Sequence, residues 1–131
     1  MPIDAALNRL SNVVIGAAIE VHKQLGPGFP EAVYEGALEA ELKLRGVLCE
    51  RQVPIQIVYK GQAVGEGRLD LLVAGSLIIE LKAVDELSKL HEAQLISYLK
   101  ATGHTLGLLM NFKVTMLRDG VKRIVYGNGV P

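Results

Sequence analysis

Residues 67–82, GRLDLLVAGSLIIELK, constrain this chain more than any other stretch. Two short apolar runs flank the small-residue turn Ala74-Gly75-Ser76, the pattern of a β-hairpin with buried strands. Yet Asp70 stands near the start of one run, and Glu80 and Lys82 at the end of the other. Side chains alternate along a strand, so Glu80 and Lys82 share one face while Ile79 and Leu81 share the opposite one. Asp70 joins the Glu80 face only if the loop has an odd number of residues. A loop of Ala74 to Ser76 sets Asp70 opposite Glu80. A loop of Val73 to Gly75 leaves the two diagonal and gives Gly75 the left-handed position such loops favour. Either register gathers two carboxylates and an amine at one edge of an apolar sheet. Isolated buried charges are costly, so the cluster needs mutual pairing, a metal ion or solvent. Two readings are open: a salt-bridged strand end, Lys82 with Asp70 or Glu80, or a divalent-metal site with a lysine beside it.

The flanking segments read as helices before the hairpin and a mixture after it. Asp4 is placed to cap a helix carrying Leu7, Leu10, Val13, Val14, Ala17, Ala18 and Val21, ended by Gly26-Pro27-Gly28. His22 falls in its last turn, where a capping or surface role suits an imidazole. Pro30-Glu31 should open a second helix that buries Val33, Ala37, Leu38, Leu42 and Leu44 and stops at Gly46. From Val47 to Tyr59 the period changes to two, and Pro54 implies that the strand is at an edge or starts after it. Lys60-Gly61 turns the chain back, and Gly65 and Gly67 point to a bulge or a close backbone approach.

A third helix is expected over about 88–102, with Leu95, Ile96 and Leu99 inward, Lys89, Glu92 and Lys100 in water, and His91, Gln94 and Tyr98 as a separate stripe. Leu106 to Met110 is a short apolar strand, 116–125 a hairpin over Asp119-Gly120, and 127–131 a loose tail. The order α-α-β-β-β-α-β-β implies an α/β (mixed α+β) fold, a mixed sheet covered by helices. The helix after Lys82 allows the strands on either side of it to be parallel neighbours.

With 131 residues, the chain has the size of one domain, 1–131. Fourteen basic residues balance fourteen acidic ones, which argues against a sequence-independent grip on nucleic acid through a broad basic face, though a local groove or a dimer could supply one. The single Cys49 allows no internal disulfide and reads as a reduced structural cysteine. The N-terminus lacks the features of a signal peptide, and no apolar run approaches the roughly 20 residues that span a bilayer. The expected location is the cytoplasm, with no membrane partner.

Gly28-Phe29-Pro30-Glu31-Ala32-Val33-Tyr34 fits the pattern that names the GxxExxY protein family. The chain resembles that family from Ile15 to about Val125. The family is grouped with the PD-(D/E)XK nuclease superfamily, so the resemblance implies a restriction-endonuclease-like core, a central mixed sheet flanked by helices. It also implies that Asp70 with Glu80-Leu81-Lys82 is that superfamily's acidic residue and E-x-K element. Gln94-Leu95-Ile96-Ser97-Tyr98 is similar to the QxxxY motif of RecB-type nucleases, and Glu31 corresponds to the first-helix acid. The chain departs from the pattern in two places. No Pro precedes Asp70, and the bulky Leu69 takes a position that is small in the pattern and could shift the hairpin register.

These residues suit metal-dependent phosphodiester hydrolysis. Mg²⁺ (or Mn²⁺) takes oxygen ligands and keeps several waters, so Asp70 and Glu80 suffice as ligands, with the Leu81 backbone carbonyl as a third. Lys82 would orient the water or stabilise the phosphorane. Glu31 would reach a second ion or a metal-bound water. Gln94 and Tyr98 would bond the phosphate or hold Lys82 and Glu80, with Tyr34 and His22 as further substrate-contacting or supporting residues. The expected partner is nucleic acid, DNA in preference to RNA, with a homodimer or a partner protein supplying specificity. The alternative is a catalytically silent interaction module that keeps the fold.

Overall fold

The computed structural model describes residues 3–127, so the tail expected beyond Gly127 lies outside the described residues. Helix α1 spans Ala5–Leu25. It begins where the Asp4 carboxylate accepts from the N–H of Ala6 at 2.6 Å, and ends at Gly26. Its buried stripe is Val14, Ala17, Ala18 and Val21, with Ser11, whereas Val13 is exposed. Helix α2, Glu31–Leu44, follows Pro30 as expected. Its inward stripe is Tyr34, Leu38 and Leu42 at a spacing of four, with Glu35 beside it. Val33 and Leu44 are exposed, because the stripe is rotated around the helix from the one the apolar residues suggest. Among the described residues no helix is long and apolar enough to cross a membrane.

Five strands form one mixed sheet in the order β1-β2-β3-β4-β5: β1 Cys49–Tyr59, β2 Gln62–Val73, β3 Leu77–Lys82, β4 Leu106–Asn111 and β5 Val121–Val125. Strands β3 and β4 are parallel, joined through α3, Lys89–Thr102; the other neighbours are antiparallel. Pro54 sits in the edge strand β1, where a missing N–H is tolerated. Asp119-Gly120 does not turn a hairpin. It belongs to a 3-10 turn, Leu117–Gly120, that delivers the chain to β5. On α3, Leu95 and Leu99 are buried, but Ile96 is exposed and His91 is spent on a capping box with Ser88.

The sheet is covered on both faces, as the resemblance implies. Leu71, Val73, Leu77, Ile79, Leu81, Leu106, Leu108 and Met110 pack with α1 and α2. Ile78, Leu109 and Leu69 pack with Leu95 and Leu99 of α3. Leu69 is out of phase, because strict alternation would put it with Leu71 and Val73. The same reversal occurs on β1, where Cys49 packs with the α1/α2 core but Val53 and Ile55 join the α3 core. The β1–β2 ribbon therefore turns over between these positions, at Gln52, whose φ is +51°, and Asp70. The turnover gives the bulky Leu69 a place of its own under α3.

Beyond the turnover the ribbon lies against α3. A Cβ on Gly67 would sit 2.9 Å from Cε1 of Tyr98 and 3.1 Å from Cγ1 of Ile55, so the close backbone approach expected at Gly67 is a seat for the Tyr98 ring. Gly67→Ala should therefore destabilise the protein by about 1–3 kcal/mol. Tyr98→Ala in the same chain should cost less than the sum of the two single changes. Denaturant midpoints of the four proteins check this, and strict additivity would contradict it.

Candidate active site at the parting of two strands

The β2–β3 ladder runs Val73↔Leu77, Leu72↔Ile78 and Leu71↔Ile79. The loop is thus Ala74 to Ser76, the first of the two registers, with Ala74 and Gly75 at φ +50° and +68°. Continued by one pair, this register brings Asp70 opposite Glu80, but the ladder stops there. The Asp70 N–H donates to Glu80 Oε1 at 3.4 Å, and the Leu81 N–H donates to Asp70 Oδ2 at 2.8 Å. Strand β3 meanwhile stays paired with β4, Glu80 to Leu109 and Lys82 to Asn111. The two strands part, and the two carboxylates occupy the gap.

Glu80 is buried. Burial, then the neighbouring Asp70 charge, push its carboxyl from 4.5 up to about 8. Burial raises Asp70 as well, partly offset by the Leu81 N–H. Glu35 of α2 adds its negative charge to that rise. Lys82 is half-buried and favours both ionised carboxylates, but among the described residues no ion pair joins it to either. The salt-bridged strand end is therefore not formed. What remains is a pair of adjacent carboxylates short of positive charge.

That donor set fits a hard divalent cation that keeps most of its water. Among the described residues no group of three His, Cys, Asp or Glu is arranged to hold a metal, so the protein's share would be this carboxylate pair.

Other expected site residues lie at different distances from this centre. Glu31 is exposed at the start of α2 and lines an open depression with Pro27, Phe29, Lys113 and Ala83, the residue after Lys82. Tyr34 is buried; its hydroxyl donates to the Gly26 carbonyl and accepts from the Phe29 N–H, pinning the loop before Glu31. His22 is buried rather than a surface cap; its Nε2–H donates to the Val114 carbonyl at 2.9 Å. Phe112 lies between these two, stacked on Tyr34 at 4.5 Å and tilted against His22 at 6.2 Å. Tyr98 supports β2 at Gly67, and Gln94 is exposed on α3.

Two residues not foreseen matter as much. Glu35, buried on α2, accepts from Gln52 Nε2 at 2.8 Å and Arg51 Nε at 3.2 Å, and so ties the turnover opposite Asp70 to α2. Patterning did not mark it, because the inward stripe through Tyr34 is not the one the apolar residues suggest. Asn111, buried at the end of β4, accepts from the N–H groups of Val84 and Lys113 and donates to the Val84 carbonyl. With the Phe112 N–H bonded to the Lys82 carbonyl at 2.8 Å, it clamps the chain where β3 ends. An Asn closing an apolar strand was its only mark.

The sequence matches the family described as the PD-(D/E)XK nuclease superfamily over residues 8–124, and the chain belongs to it. No curated protein and no solved structure matches the chain.

The carboxylate pair makes stability depend on pH in a definite direction. Below about 4.5 Glu80 is protonated in both folded and unfolded chains. Between 4.5 and about 8 the folded chain keeps a proton that the unfolded chain has lost, so stability falls as pH rises through this window. The slope for one proton is about 1.4 kcal/mol per pH unit. Urea unfolding in chelator from pH 5 to pH 8 should show this decline in the wild type. Glu80→Gln should flatten it and be the more stable protein at pH 8. Equal slopes in the two proteins would contradict the reading.

Proposed function

We propose that this member of the PD-(D/E)XK nuclease superfamily is a Mg²⁺- or Mn²⁺-dependent nuclease hydrolysing phosphodiester bonds of nucleic acid, DNA in preference to RNA. The observation that carries the reading is the Asp70–Glu80 pair, half-buried Asp70 beside buried Glu80, with no cationic side chain among the described residues paired to either. Divalent metals are in general use in this superfamily, and Asp70 and Glu80, with the Leu81 carbonyl, are the groups that would hold one. Such an ion, when bound, supplies a Lewis acid for the phosphate and an acidified water.

The chain's own residues divide the remaining work. Lys82 has no ion-pair partner among the described residues, which leaves its amine free to orient the attacking water or neutralise charge growing on the phosphate. Asp70 takes the Leu81 N–H and so holds its carboxylate toward Glu80. Glu31 lines a depression with Ala83, the residue after Lys82, and from there would take a metal-bound water or a second ion. Tyr98 supports the strand that carries Asp70, and Gln94, exposed on the same helix, would contact the phosphate.

Within the superfamily, Gly28, Glu31 and Tyr34 favour the GxxExxY group, and the Tyr34 hydroxyl gives that motif a physical purpose by fixing the loop ahead of Glu31. A cytoplasmic setting and a second subunit or partner that supplies sequence preference belong to the same reading. Cys49 suits that setting, since burial raises its thiol to about 11 and leaves it unreactive.

Calorimetry should detect Mg²⁺ or Mn²⁺ binding, and the melting temperature should rise with ion concentration. Glu80→Gln should abolish that rise and leave the fold intact. On single-stranded DNA, duplex DNA and RNA substrates, Asp70→Asn and Lys82→Met should each lower hydrolysis at least about a hundredfold. If millimolar ions neither bind nor support hydrolysis of any of the three, the nuclease is replaced by the catalytically silent interaction module.

A further inference from the structure

A groove of about 430 Å³ lies between the end of α1 and the segment that follows β4. This is within the range of ordinary small-ligand sites, about 300–1,000 Å³. Its walls are mainly apolar, with Pro27 and Met116 among them, and the exposed cations Lys23 and Arg118 and the Thr115 hydroxyl stand on its lining. Neither cation is in an ion pair among the described residues. What sets them apart is their place on one apolar groove, since most other Lys and Arg side chains are also outside ion pairs among the described residues.

The groove is related to the candidate active site through two chain segments. Pro27 also borders the depression that holds Glu31 and Ala83. The far wall, Thr115 to Arg118, follows Asn111 and Phe112, which are bonded in register to Lys82. The wall is then held in place by the His22 bond to the Val114 carbonyl.

We propose that the groove is a subsite for a flanking nucleotide of the substrate strand. Lys23, Arg118 and Thr115 would take its phosphate, while the apolar wall of Pro27 and Met116 would receive the sugar and base. The occupant is a nucleic-acid strand because the groove joins two cations to an apolar wall at one nucleotide's scale, and shares Pro27 with the depression that holds Glu31 and Ala83. Its identity as substrate rests on the nuclease reading. The groove also answers how a chain of zero formal net charge can grip a polyanion: two cations left unpaired in one place replace a broad basic face.

Both cations are exposed, so the double variant Lys23→Ala/Arg118→Ala should keep the wild-type melting temperature. Binding is read by fluorescence anisotropy with labelled DNA and RNA strands of one sequence, in chelator, so that no hydrolysis intervenes. The wild type should bind at least one of them. The double variant should bind about tenfold more weakly, with a salt-dependence slope reduced by about one to two. Failure of the wild type to bind either strand, or wild-type affinity and slope in the double variant, overturns the subsite. Hydrolysis is scored separately with Mg²⁺. Cleavage with an unchanged KM in the double variant leaves the nuclease standing and removes the groove. Strand binding lost in the double variant, without cleavage by the wild type, does the reverse.

Discussion

At the end of the β2–β3 ladder the N–H groups of Asp70 and Leu81 are satisfied by carboxylates rather than by main-chain carbonyls. A side-chain acceptor reaches further than a carbonyl, so the exchange lets the strands separate without leaving a buried donor orphaned. It also brings two like charges together in a place short of water, which is why both carboxyls hold their protons more tightly than usual. Opening the sheet and building the carboxylate pair are thus one event. The sheet tolerates it because β3 is still fully paired with β4 on its other side, and because Ile79 and Leu81 anchor β3 in the α1/α2 core.

The same position organises the opposite edge. Gln52, flanked by the pairs Arg51↔Leu71 and Val53↔Leu69, adopts a left-handed φ that a residue with a side chain seldom takes. Its amide and the Arg51 guanidinium both bond to Glu35, so α2 holds the kink in the strand opposite Asp70. Strain of this kind persists where the surroundings over-determine it, and it clusters at functional sites. Here it reverses the ribbon. Inside the turnover β1 and β2 serve one core; outside it Val53, Ile55 and Leu69 serve the other, and Tyr98 can settle on Gly67.

Much of this was legible in the sequence where a strong local period or a cap decides. The Asp4 cap, the start of α2 at Pro30, the edge strand with Pro54, the odd-numbered hairpin loop and the parallel crossover through α3 all follow from residue chemistry at short range. The turnover was not legible, because period-two reasoning assumes that a strand keeps its faces, and nothing local to Gln52 announces a positive φ. Nor was Glu35, since patterning assigns polar residues to solvent. It is buried only because Arg51 and Gln52, sixteen and seventeen residues on, come to meet it. Val33 was misplaced for a related reason: Tyr34, an amphipathic ring with two hydrogen bonds at its tip, took the inward position instead.

Net charge gave a partial answer about nucleic acid for a comparable physical reason. It counts charges without asking which are already engaged. Glu35 and Glu39 are answered by Arg51, Glu41 by Arg45, Asp85 by Lys113 and Glu92 by Lys122. Asp70 and Glu80 have no such answer, and as they stand they would repel a phosphate brought beside them. Under the proposed function, a divalent cation held by them would cancel that field and leave Lys82 uncompensated. The centre would then change from a region that excludes a polyanion to one that admits it. In such an arrangement the carboxylate pair governs both the binding of the ion and the approach of the phosphate, and a neutral chain needs no broad basic surface to discriminate in favour of its substrate.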